Sequence, residues 1–82
     1  MTDPLAGPRA RIDAIDTGIL DLLAERSGLL ADVLATKQRE GLPIFDPVRE
    51  SAKVAAFRDA AVARGLDPEW AEDFLRMVMG AS

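Results

Sequence analysis

The stretch IDAIDTGILDLLAERSGLLADV, residues 12–33, decides the fold. Within it Ile12, Ile15, Ile19, Leu22, Arg26, Leu29 and Val33 succeed one another in alternating steps of three and four, the spacing of residues along a seam between packed helices. Arg26 therefore holds a position that apolar residues hold elsewhere in the row. A guanidinium does not lose its proton to escape burial, and buried without a partner it costs on the order of 3–5 kcal/mol. The seam is expected to meet something anionic there. Lys37, eleven residues further on, returns to within roughly 20° of the same direction around the helix. Two cations about three turns apart thus face one interior.

The periodic pattern runs without proline from about Arg9 to about Glu40, and Pro4, Gly7 and Pro8 are expected to keep the residues before it irregular. Gly18 and Gly28 weaken this helix by about 1 kcal/mol each relative to alanine. Gly41, Leu42 and Pro43 end it. Asp46 followed by Pro47 reads as an N-cap with proline at the first helical position, opening a second helix through Arg64, which Gly65 closes. Asp67, Pro68 and Glu69 repeat the start signal for a third helix that directs Trp70, Phe74, Leu75 and Val78 toward the core and ends at Ser82. No strand pattern or internal repeat is present, so residues 1–82 read as a single all-α domain of three helices. The first helix is too long for a compact chain of this size. Its roughly 32 residues extend about 48 Å, against a globule diameter near 30 Å, roughly. The overhanging apolar turns need a second copy of the chain, which predicts a homodimer packed through the long helices.

Composition excludes several chemistries. With 82 residues the chain is near the size at which one copy struggles to bury enough apolar surface. Neither Cys nor His is present, which removes disulfides, thiolate metal sites and the commonest general base. The net charge of −4, with basic residues interspersed among acids, argues against nucleic acid as a partner. No apolar run approaches the roughly 18 residues of a membrane span, and MTDPLAGPRAR lacks the apolar core of a signal peptide. A cytoplasmic location is the expectation.

The loop and the start of the second helix carry the remaining polar groups of a small-molecule site. Residues 41–50, GLPIFDPVRE, are expected to turn the chain so that Arg49 and Glu50 bring a cation and an anion to a pocket mouth beside the first helix. Backbone N–H groups at such a helix start favour anions and electron-rich oxygens.

Arg9, Ile12, Asp16, the Leu-Leu-Ala-Glu-Arg26 segment, Lys37, the block from Gly41 to Glu50, Gly65-Leu-Asp and Ser82, taken in order, resemble the all-helical chorismate mutase family over nearly the whole chain. The resemblance implies an intertwined homodimer of three-helix protomers that converts chorismate to prephenate by a Claisen rearrangement, without cofactor or metal. Such a pericyclic, unimolecular step needs no nucleophile or proton shuttle, which agrees with a chain lacking His and Cys. Carried over residue by residue, the resemblance assigns Arg26 to a substrate carboxylate and Lys37 to the ether oxygen and a carboxylate. Arg9 is assigned to a carboxylate in the neighbouring protomer's site; seventeen residues from Arg26, it lies about 100° away around the axis and should not face the same pocket. Asp46, through its backbone, and Glu50 match contacts to the ring hydroxyl. Arg49 matches a cation that orders the pocket, and Ser82 a polar carboxylate contact. The family usually carries a Gln or Glu one turn beyond that serine. Since the sequence ends at Ser82, a second ether-oxygen donor is expected to be absent and the isolated chain weakly active; Lys37 acting alone, a water in the donor's place, or a partner that orders the end of the third helix are the alternatives, and the resemblance allows an activating partner enzyme of the aromatic pathway.

Taken singly, each residue also has an ordinary reading. Arg26 could form a buried ion pair with another helix, and Lys37 could complement a helix C-terminal dipole. Asp46 could be a cap alone, and Arg49 and Glu50 solvated charges. Arg9 could be solubilising, with Arg11 the competing cross-subunit cation. Trp70 and Phe74 read as core. Two further functions fit the same fold. One is a mutase or lyase for a chorismate relative, the 4-amino-4-deoxy analogue or isochorismate, with Glu50 the discriminating position. The other is a non-catalytic helical dimer that regulates a partner. The dimer itself is checked by sedimentation velocity at micromolar concentration: a species of twice the chain mass is expected, and monomer alone contradicts the reading of the seam.

Overall fold

The computed structural model describes residues 3–80. It contains three helices, α1 (Ala6–Glu40), α2 (Pro47–Ala63) and α3 (Pro68–Gly80), and no strand among the described residues. The chain divides into two units, one up to Thr36 and one from Lys37 onward, with the division falling inside α1.

In the first unit the helix starts at Ala6, three residues before the expected Arg9. Asp3 explains the difference. Its Oδ1 accepts the Leu5 N–H at 2.9 Å and its carbonyl accepts the Ala6 N–H at 3.2 Å, so the chain is already turned when it reaches Gly7 and Pro8. Pro8 falls in the first turn, where the N–H it lacks would have had no intrahelical acceptor. Gly7 and Pro8 are helical residues, not an irregular leader. None of the residues of α1 is buried. Ile12, Ile15, Ile19, Leu22, Leu29 and Val33 are each between 43% and 67% exposed, while Arg26 in the same row is half-buried. The apolar row that the sequence reserves for packing lies open in the single chain.

The second unit opens with the last turn of α1. Gly41 there has φ +67°, the left-handed conformation that costs glycine nothing, and the Leu42 N–H returns to the Lys37 carbonyl at 2.8 Å. At the head of α2 the Asp46 carboxylate accepts the Arg49 N–H at 3.1 Å, and Pro47 occupies the first helical position as expected. The helix stops at Ala63, with Arg64 as its C-cap and Gly65 at φ +72°. After it the Leu66 N–H reaches back to the Ala61 carbonyl at 2.9 Å. Asp67 then accepts the Glu69 N–H at 3.0 Å and starts α3.

Helices α2 and α3 pack against each other. Their seam is made by Val54 and Ala61 from α2 and Ala71 and Leu75 from α3, all buried, with Phe57, Phe74 and Val78 half-buried around them. The α2 residues are seven apart and the α3 residues four apart, the repeat of a single helical face. Trp70 corrects the sequence reading, because it is 58% exposed. It lies one position before the buried Ala71, off the packed face, and stacks instead on Phe74 with ring centroids 5.8 Å apart and planes 14° from parallel. Truncation of Leu75 to alanine is expected to cost about 2–5 kcal/mol and loss of the Asp46 cap in Asp46→Ala about 1 kcal/mol. Urea unfolding followed by circular dichroism checks both, and equal midpoints for the two variants would contradict this placement of the core.

Candidate active site

Lys37 is half-buried, and its ammonium donates to the Ile44 carbonyl at 3.0 Å. This bond ties the loop of residues 41–46 to the end of α1, so the lysine is held by the segment that leads to Asp46 and Glu50. An ammonium carries three N–H donors, and two are left for other acceptors. Asp46 spends its carboxylate on the cap, which leaves the backbone of this helix start as the part that can address a ligand.

Glu50 is half-buried and lies four residues before Val54, so it continues the face that α2 turns to α3. There its Oε1 sits 3.9 Å from Nη1 of Arg76. Glu50 and Arg76 line one small cavity of about 120 Å³ together with Phe45, Pro47, Ser51 and Val54. Arg49, one residue earlier and about 100° around the helix, is exposed and faces a different depression. That one is broad and open, about 650 Å³, and is shared with Asp46, Val48, Ala52, Lys53 and Ala56. The cation and anion expected at one mouth thus line separate concavities of the second unit. Arg9, exposed, and Arg26, half-buried, lie on α1 in the first unit. Ser82 lies outside the described residues.

Sequence reading did not anticipate the ion-pair chain behind Glu50. Arg58 Nη1 on α2 donates to Glu72 Oε1 at 2.8 Å, and Arg76 Nε donates to Glu72 Oε2 at 2.8 Å. Both oxygens of Glu72 are engaged, and Arg76 extends the chain to Glu50. The spacing of Glu72 and Arg76, one turn apart on α3, was a visible signal. The crossing to Arg58 depended on the register of α2 against α3, which no local pattern encodes.

Hydrogen bonds from Arg76, and then from Arg58, hold the Glu72 carboxyl below its ordinary range, and Glu72 in turn raises the Arg76 guanidinium above its own. A carboxyl whose value is lower in the folded chain stabilises the fold above its unfolded value, about 4.3, and loses that contribution as pH falls through the folded value.

The chain matches the family model for chorismate mutase type II over residues 8–82. It is 45% identical over 82 residues to a T-protein of Enterobacter agglomerans, covering all of this chain and 22% of that protein. To a T-protein of Haemophilus influenzae it is 38% identical over 74 residues, 90% of this chain and 20% of the relative. A chorismate mutase of Methanocaldococcus jannaschii is 50% identical over 50 residues, 61% of this chain and half of that protein. No solved structure matches significantly. The chain spans about a fifth of the length of the two T-proteins. With the family model covering all but the first seven residues, the chain belongs to the chorismate mutase type II family, and its three helices are the all-helical fold expected of it.

Replacing Glu72 by Gln is expected to flatten the acid limb of stability, read from thermal midpoints between about pH 7 and about pH 3; a limb as steep as that of the parent chain contradicts it.

Proposed function

We propose that this chain rearranges chorismate to prephenate, as a homodimer in which α1 of each copy supplies the cations of the site. The single observation that carries the reading is the half-buried Arg26 in an otherwise apolar row, in a chain that belongs to the chorismate mutase type II family.

The chemistry asks little of a protein beyond position and charge. Chorismate bears two carboxylates and reacts only from a compact conformer, so fixed cations that grip both ends remove conformational freedom before the barrier. Arg26 takes one carboxylate. Its planar fork can bind both oxygens at once, which fixes direction as well as distance. Arg9, on a different face of α1, reaches the other copy's site. As the ether bond lengthens, negative charge gathers on its oxygen, and Lys37 answers that charge with the donors that Ile44 leaves unused. A donor that meets charge only as it develops lowers the barrier, by roughly 2.7–4 kcal/mol in comparable oxyanion sites. Glu50 accepts from the ring hydroxyl, and the backbone at Asp46 adds a second contact there. No step passes through a cofactor, a metal or a covalent intermediate.

The same reading accounts for the exposed row of α1. Six large apolar residues between 43% and 67% exposed form the surface a second copy would cover. Among the described residues no helix is long and apolar enough to cross a membrane, and a cytoplasmic location goes with this function.

Spectrophotometric loss of chorismate with appearance of prephenate is the expected result for the purified chain, and Arg26→Ala is expected to lower turnover by several orders of magnitude. Turnover of isochorismate or of the amino analogue without turnover of chorismate would reassign the substrate. No turnover of any of the three would overturn the enzyme reading, as would an Arg26→Ala variant that is fully active.

A further inference from the structure

We propose that Arg76 is the specificity-setting positioning residue of this site, compensating the charge of Glu50 so that the position accepts a neutral ring hydroxyl in preference to a ring ammonium. The inference rests on the function proposed above.

The starting point is a mismatch of charge. A site for a dianion gains from cations and loses from any uncompensated carboxylate, yet Glu50 is the acid placed where the ring substituent is to be met. Its Oε1 lies 3.9 Å from Arg76 Nη1, and the two side chains share a cavity whose other walls include Phe45, Pro47 and Val54. Both side chains are partly exposed, 53% for Arg76 and 38% for Glu50, so the pair is screened by water and coupled with the modest strength of a surface ion pair.

Arg76 is also held in place independently of any substrate. Its Nε bonds Glu72 Oε2 at 2.8 Å, and Glu72 is fixed from its other oxygen by Arg58 at 2.8 Å. The guanidinium is therefore anchored on α3 through Nε, with its Nη1 3.9 Å from Glu50 Oε1 on α2. Two arginines and two glutamates alternate along this chain, and their formal charges cancel. A Glu50 embedded in it offers lone pairs to a hydroxyl without adding net negative charge to a site that must hold a dianion. A ring ammonium, by contrast, would gain most from a carboxylate with no other cation beside it. Arg76 thereby lowers the advantage an amino analogue would have at this position. It touches neither the carboxylates nor the ether oxygen in this assignment, and it acts through Glu50.

The test compares kcat/KM for chorismate and for 4-amino-4-deoxychorismate in the parent chain, Arg76→Gln, Arg76→Lys and Arg58→Gln. Arg76→Gln is expected to raise KM for chorismate more than it lowers kcat, and to move the ratio of the two kcat/KM values toward the amino substrate by roughly three- to fivefold. Arg76→Lys, which keeps the charge, is expected to restore most of the parent ratio. Arg58→Gln removes an α2–α3 ion pair without touching Glu50, so it is expected to lower thermal stability and to move the ratio less than Arg76→Gln does. In a Glu50→Gln background the Arg76 substitution is expected to have no effect on the ratio. Should Arg76→Gln not fold, Arg76→Met keeps the apolar stem and carries the same comparison. An unchanged ratio in the Gln or Met variant, an equal shift in Arg58→Gln, or a shift that persists without the Glu50 carboxylate would overturn the inference while leaving the mutase reading intact. A parent chain that converts neither substrate would overturn that reading, and this inference with it.

Discussion

A guanidinium in an apolar seam has to meet an anion. It cannot shed its charge, and its desolvation is offset only by a partner of opposite sign. Arg26 sets that condition on α1, and the rest of the helix is built around it: large aliphatic residues one turn before and after, exposed in the single chain, and a second cation about three turns on. An apolar surface of this extent needs covering, and a cation within it gives the covered space a sign. In the proposed enzyme the covering is a second copy and the anion is the substrate. Assembly and substrate recognition then rest on one row of side chains.

In the proposed enzyme the second unit has a complementary task, to offer an acid to a dianion without repelling it. The fold does this with an ordinary hairpin of two helices whose small residues, Ala61 and Ala71, let the backbones approach while Leu75 and Val54 fill the seam. Glu50 extends the α2 face of that seam and so is brought to Arg76 by the same packing that stabilises the pair. Lys37 is tied to the loop by its bond to Ile44, and the Asp46 cap fixes the turn that follows. The contacts that stabilise the α2–α3 pair thus also set the position of Glu50 against Arg76.

Most of the architecture was legible because it is local. The Asp-Pro starts of α2 and α3 and the glycines at 41 and 65 act through bonds spanning a few residues, and each is found where its chemistry places it. The start of α1 was misjudged for an equally local reason, since proline and glycine are breakers inside a helix and unobjectionable in its first turn, where Asp3 had already turned the chain. Trp70 was expected in the core with Phe74, Leu75 and Val78; the packed face belongs instead to the smaller Ala71 and to Leu75. The Arg58–Glu72–Arg76–Glu50 chain was beyond sequence reading because two of its three links cross between helices. The separate settings of Arg49 and Glu50 follow from the 100° between adjacent helical residues, which turns neighbours on a helix to different faces.

The central claim is that cations on α1, drawn from two copies, close on a small dianion. A crystal structure of the chain with a bicyclic dicarboxylate that mimics the compact transition state tests it most directly. The account predicts Arg26 bidentate on one carboxylate, Lys37 on the ether oxygen, and Arg9 from the second copy on the other carboxylate. A dimer in which Arg26 is instead paired with a protein carboxylate, and the inhibitor is bound elsewhere, would contradict it.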